Sequence, residues 1–168
     1  MQSPARGPRL AIAAMAAVGA FLSGAPAASA IDAPAWNGQY LLTLGTNAKA
    51  GTSIAAGQSE FAHRANYSFS SSCASGVCTA TVNDPPPVKN PTLPQSIEFT
   101  WNGSQWVREF NWKWDCLLPD GTVEYDPAQS ITVYTPGPYG ILTGVFHTDI
   151  VSGACKGNVD IPVTAKPA

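Results

Sequence analysis

Beyond residue 9 the chain has no cluster of lysine and arginine, no G-x-S-x-G element, and no apolar run long enough to cross a bilayer. The missing basic cluster disfavours nucleic acid and anionic lipid surfaces as partners, since both are held by neutralising phosphate or headgroup charge. The missing nucleophile elbow sets aside that class of serine hydrolase. The longest apolar run, residues 10–22, has 13 residues, short of the about 20 that a spanning helix needs, so no stable membrane insertion is expected. A lipid-anchored bacterial exit would place a cysteine at the cleavage point, and the first here is Cys73.

What is present at the start is a secretory layout. Arg6 and Arg9 precede the apolar run, and the small-residue stretch Ala25-Pro26-Ala27-Ala28-Ser29-Ala30 follows it. Residues 1–30 therefore read as a signal peptide cleaved near Ala30, and the expected location is extracellular. The remaining 31–168 is the length of one domain. It carries seven lysines and arginines against eleven aspartates and glutamates, a net charge of −4, which favours neutral or weakly cationic partners.

All four cysteines, Cys73, Cys78, Cys116 and Cys155, fall in the exported part. An even count in an oxidising compartment favours disulfides. Zinc competes poorly, because no close C-x2-C pair occurs and only His63 and His147 are available to help; neither a metal nor a cofactor is expected.

Short runs of β-branched and aromatic residues, separated by Gly, Pro, Asn and Asp, predict an all-β antiparallel fold of about eight strands. Strand candidates are 38–44, the segments around 67–69 and 79–82, 97–101, 106–116, 131–134, 141–151 and 159–163; the Gly- and Ala-rich stretch 47–62 reads as a loop. A hairpin over Ala74-Ser75-Gly76-Val77 sets Cys73 opposite Cys78 and Phe69 opposite Val82. Directly opposed residues can be bridged with little adjustment, so Cys73 pairs with Cys78 and Cys116 with Cys155 by elimination. The proline-rich stretch 84–94 cannot supply ladder donors and is expected to be a stiff connector rather than a ligand for aromatic-grooved modules. Sequential hairpins close most simply into an up-and-down barrel, with a two-sheet sandwich as the alternative.

The strongest register signal lies around Asn102-Gly103-Ser104-Gln105. It puts Ile97, Phe99 and Trp101 on one face with Trp106, Arg108, Phe110, Trp112, Trp114 and Cys116, and puts Glu98, Thr100, Glu109, Asn111, Lys113 and Asp115 on the other. A one-residue slip would turn the whole apolar set outward, so the register is well specified.

The runs Tyr67-Ser68-Phe69-Ser70-Ser71-Ser72-Cys73, Phe99-Thr100-Trp101-Asn102-Gly103-Ser104-Gln105-Trp106 and Gly153-Ala154-Cys155-Lys156-Gly157 resemble a group of small exported mycobacterial proteins. The resemblance covers most of the chain after residue 30. It implies an actinobacterial secreted protein, supports pairing of the four cysteines, and carries over no catalytic residue.

Three constellations offer chemistry. His147 and Asp149 share one side of a strand and could form half of an acid–base pair in a small secreted hydrolase, or an exposed polar stripe. Asp115, Asp120, Glu124 and Asp126 gather around the Pro119-Asp120-Gly121 turn, where a solvated hairpin end is the plain reading and calcium the sharper one. Trp101, Trp106, Phe110, Trp112 and Trp114 either pack the interior or line a pocket. Arg108 shares their face and must be paired or stacked, either on Trp36 or Trp106 as an end cap, or at a barrel mouth meeting the anionic head of an apolar ligand. The expected function is that of a secreted, non-enzymatic binding protein for a small apolar or anionic amphipathic ligand. The alternatives are a scaffold presenting loops to a cell-surface partner, and the small hydrolase.

Overall fold

A computed structural model describes residues 33–59 and 63–168. The signal peptide expected over 1–30 lies outside the described residues. Eight strands follow one another: β1 Gly38–Leu44, β2 His63–Ala74, β3 Val77–Asn83, β4 Glu98–Trp101, β5 Trp106–Leu117, β6 Val123–Pro136, β7 Leu142–Ile150 and β8 Gly157–Pro167. Each pairs antiparallel with the next, and β1 closes on β8 from Tyr40↔Pro167 to Leu44↔Val163. The architecture is the up-and-down barrel and not the sandwich. Among the described residues no helix is long and apolar enough to cross a membrane.

The registers follow the sequence parity. Cys73 faces Cys78, Phe69 faces Val82, and Trp101 faces Trp106. Ser75 and Gly76 both have positive φ (51° and 79°), the backbone that a tight two-residue hairpin turn requires. The disulfides are Cys73–Cys78 and Cys116–Cys155.

Two elements differ from the sequence expectation. β6 begins at Val123, eight residues before the apolar run 131–134 that marks it in sequence. Its extra inward residues are Asp126, Ala128 and Ser130, small or polar, and they oppose the large Trp114, Trp112 and Phe110 of β5. Large against small fills the interior, but leaves no hydrophobic alternation to read. The stretch 47–62, expected as a plain loop, contains short 3-10 turns at Thr46–Ala48 and Ile54–Gly57. It is bound to β8 through the Ala50↔Asp160 bridge and the Ser53 N–H, which donates to the Asn158 carbonyl at 3.1 Å, while the Ser53 hydroxyl donates to the Cys155 carbonyl ahead of β8 at 2.5 Å.

The interior forms two apolar layers. The lower one centres on Trp36, which precedes β1, enters the barrel and is 1% exposed. Its indole stacks on Phe69 at 4.2 Å between ring centroids and meets Phe99, Trp106, Tyr134 and Tyr40. The upper layer groups Trp114, Ala128, Ile150, Val159 and Ile161 around the Cys116–Cys155 bridge. Leu44 and Phe146 pack against both layers.

Candidate functional site

Between the two layers the interior is polar and less sealed. Trp112 donates its indole N–H to Ser130 at 2.8 Å, and Ser130 shares a hydrogen bond with the buried Thr148 at 2.7 Å. Beside them sits Arg108, whose inward direction follows from the parity that buries Trp106 and Trp114. Its guanidinium lies 4.3 Å from the Phe110 ring centroid and donates to the Ser96 carbonyl at 2.9 Å. The stacking partner is Phe110, in place of the Trp36 or Trp106 expected as an end cap. No carboxylate pairs with Arg108 among the described residues. Burial lowers the guanidinium's pKa, and the half-buried Tyr67, on β2, stands close enough that its phenol is influenced by the same charge. An arginine remains charged in such a setting, so its desolvated charge calls for an anion.

The aromatic set divides by depth. Trp106 and Trp114 are fully packed, one in each layer, whereas Trp101, Phe110 and Trp112 are only partly buried. Phe110 stacks on Phe146, and Trp112 leans on Trp114 and Phe146. The structure therefore brings Arg108 and Phe110 together, with Trp112 further along the same face of β5 and Tyr67 near Arg108. Nothing local in sequence links positions 67 and 108, because they lie on β2 and β5, which are not neighbours in the sheet.

This surface lies in the side wall and not at an end. The connector between β3 and β4 covers part of it and is fastened to β5 by side chains. Asn90 donates to the Lys113 carbonyl at 2.7 Å, and the Lys113 N–H donates to the Thr92 hydroxyl at 2.9 Å. Prolines cannot supply these bonds, so a buried asparagine and a threonine do.

On the outer face of β5, β6 and β7, a shallow depression of about 430 Å³ is bordered by Glu109, Asn111, Gln129, Ile131, His147 and Asp149. His147 Nδ1 is 2.6 Å from Asp160, and Nε2 is 3.3 Å from Asp149. With a carboxylate beside each ring nitrogen, the protonated form of the imidazole is favoured. Asp160 was missed in sequence because it is a cross-strand neighbour on β8. The Asp160 hydrogen bond, followed by that of Asp149, raises the His147 pKa. Its stabilising contribution is complete below the unfolded value of about 6.5 and is lost as pH rises through the higher folded value. Urea unfolding between about pH 5 and about pH 9 is expected to show this loss, and His147→Asn should flatten it; an unchanged profile in the variant would assign the dependence to other groups.

The acidic turn does not act as one unit. Asp120 accepts from Thr122 N–H and hydroxyl at 2.9 and 2.6 Å, which lowers its pKa. Glu124 accepts from Ala154 N–H at 3.1 Å. Asp126, expected in the solvated hairpin end, is 1% exposed and accepts from Cys155 N–H at 2.9 Å. Its carboxylate lies near Cys116 and Cys155, but their sulfurs are consumed in the disulfide and cannot serve as thiolate metal ligands.

These features define the class of closed, disulfide-stapled β-barrel domains with a side wall in which a cation sits among aromatic rings. The chain belongs to the family of PknI serine/threonine-protein kinase sensor domains, whose model matches residues 33–168. It is similar to the monomer form of the M. tuberculosis PknI sensor domain, at 17% identity and a TM-score of 0.58, with 82% of this chain and 90% of that chain covered. The dimer form of the same sensor domain aligns at 22% identity and a TM-score of 0.47, over 61% of this chain and 70% of that one. At such identities the likeness concerns the fold. Comparison with curated proteins finds no match. The class agrees with the resemblance to exported mycobacterial β domains, and the sensor family is one that the sequence motifs alone did not name.

Proposed function

We propose that this chain is a non-catalytic sensor module, exported by residues 1–30 as the single domain 31–168, that binds a carboxylate-bearing, partly apolar ligand through the side wall of its barrel. Arg108 anchors the anion, while Phe110, Trp112 and Tyr67 contact the apolar part. The observation that carries this reading is the half-buried guanidinium of Arg108, which rests on an aromatic ring and a carbonyl with no acidic partner among the described residues. Trp106 and Trp114 support the site from the core, and Trp101 borders Trp106 at 5.3 Å. Two disulfides fit an oxidising compartment.

Titration with decanoate, followed by tryptophan fluorescence, tests the reading. The wild-type chain is expected to respond to decanoate and not to decanol, and Arg108→Ala to weaken decanoate binding by about tenfold or more, the scale of a lost charge-assisted hydrogen bond. Equal binding by wild type and Arg108→Ala would overturn it.

A second reading, of a barrel that presents loops to a surface partner, is favoured by one residue. Tyr139, at the β6–β7 turn, is 93% exposed and holds φ at 59°. A large aromatic kept in a left-handed conformation outside the core is a fitting contact residue.

A further inference from the structure

The barrel wall is incomplete beside Arg108. β2 pairs with β3 only from Ser68↔Asn83 downward, and β4 meets β5 only through Thr100↔Val107 and Trp101↔Trp106. Above that level, residues 63–67 of β2 and 110–117 of β5 have no described strand between them. Lower in the barrel β3 and β4 fill this interval, which is three strand spacings there, about 14 Å. The connector takes the place next to β5 through Asn90 and Thr92. Beside β2, a concavity of about 540 Å³ is lined by Gln39 of β1, by Asn66, Tyr67 and Ser68 of β2, and by Asn83, Asp84 and Pro86.

The β2 edge has the polar groups to receive a strand. Val82 donates its N–H to the Ile97 carbonyl at 2.9 Å, away from β2. Phe69↔Val82 is therefore a non-hydrogen-bonded pair, and the adjacent Ser68 turns its backbone toward β3. The period of two turns the N–H and C=O of Asn66 and Arg64 the same way, toward the missing strand, and no described residue bonds them there. Alternating donors and acceptors along an open edge are matched by another extended backbone. Exposed Arg64 on the outer face and Arg108 on the inner one offer cations to an acid, while Asp84 is the one acidic group that lines the concavity.

Resting on the anion-binding reading of Arg108, we infer that the open edge of β2 receives an extended peptide of a partner protein, added as a strand along Arg64 and Asn66. An acidic side chain of that peptide points inward to Arg108, and an apolar side chain two residues away points to Phe110 and Trp112. Outward positions of the peptide stay in solvent and tolerate polar residues. The sensor's ligand is thereby a segment of protein read by its backbone and one acid, not a lipid.

The probe is an acetylated, amidated peptide of sequence Thr-Val-Thr-Asp-Thr-Val-Thr, which puts Asp and Val on one face. It is compared with the same peptide N-methylated at the amides that face β2, and with decanoate. On the full chain, amide hydrogen exchange is expected to show new protection at Arg64 and Asn66 with the parent peptide and none with decanoate. Binding should fall about tenfold or more with the N-methylated peptide and in Arg108→Ala. Asn66→Pro removes one edge donor without touching the β1 ladder and should weaken the peptide but not decanoate. If the N-methylated peptide binds as well as the parent, or Arg64 and Asn66 gain no protection, strand addition is wrong while the anion site stands. If Arg108→Ala leaves both decanoate and peptide unaffected, the anion reading falls and this inference with it. No binding of the parent peptide at about 1 mM also overturns the inference, because a strand addition plus a charge pair should exceed that affinity. Should Asn66→Pro not fold, the N-methylated peptide and the exchange pattern decide alone.

Discussion

Trp36→Ala is expected to lower the unfolding free energy by about 3–5 kcal/mol, the range for emptying a large aromatic site in a core. Trp36 touches Tyr40, Phe69, Phe99, Trp106 and Tyr134, residues from five different strands. No single neighbour can relax into the space, since each is fixed by its own ladder, so the cavity persists. For a chain of this size the loss corresponds to a fall in Tm of about 10 °C or more. Trp36→Phe keeps most of the ring and removes an indole N–H that is buried without a hydrogen-bond partner among the described residues, so it should cost much less. Differential scanning calorimetry on both variants checks the pair. A small loss in Trp36→Ala would mean that the lower layer is held by the remaining rings.

The second large effect concerns the disulfides, and it is asymmetric. Replacing Cys116 and Cys155 together by alanine is expected to cost about 4 kcal/mol, and replacing Cys73 and Cys78 about 2 kcal/mol, from the entropy of the loops they close. The sequence separations are 39 and 5 residues. Packing deepens the contrast. Cys116 and Cys155 are both fully buried in the upper layer, so alanine also leaves a void there. Cys73 and Cys78 are already opposed in a continuous ladder from Ser68↔Asn83 to Ala74↔Val77, which survives without the bridge. Urea midpoints and slopes of the two double variants test the order; because bridges restrict the unfolded chain, the slope should rise with each loss. Equal costs would contradict it.

Much of this was legible in sequence where two strands had to agree with each other. The parity shared by 97–101 and 106–116 fixed which residues entered the barrel, and Cys73 opposite Cys78 followed from one turn. What stayed hidden depended on contacts without a periodic signature. Trp36 is a lone aromatic between Ala35 and Asn37, and no alternation marks it as the centre of the lower layer. Asn90 and Thr92 stand among prolines, so their role as substitutes for ladder groups is invisible until β5 is beside them. Asp126 looked like one more acid near a turn, whereas its carboxylate is spent on the Cys155 amide. The candidate site was legible as Arg108 with Phe110 and Trp112. Tyr67 and the open edge of β2 were not, because they depend on where β3 and β4 stop.

The meander order also bears on how the barrel assembles. Seven of its eight pairings join strands adjacent in sequence, and the loops these close are far shorter than the one the last pairing closes. The seam between β1 and β8 joins residues more than 100 positions apart, so its loop entropy is repaid last. Until β8 emerges and docks, β1 presents an unpaired edge beside an unsealed aromatic interior, the kind of surface through which partly folded chains associate. The seam is therefore the kinetic weak point of the fold, and slow docking of β8 or damage to it would express itself as aggregation rather than as a folded, inactive barrel.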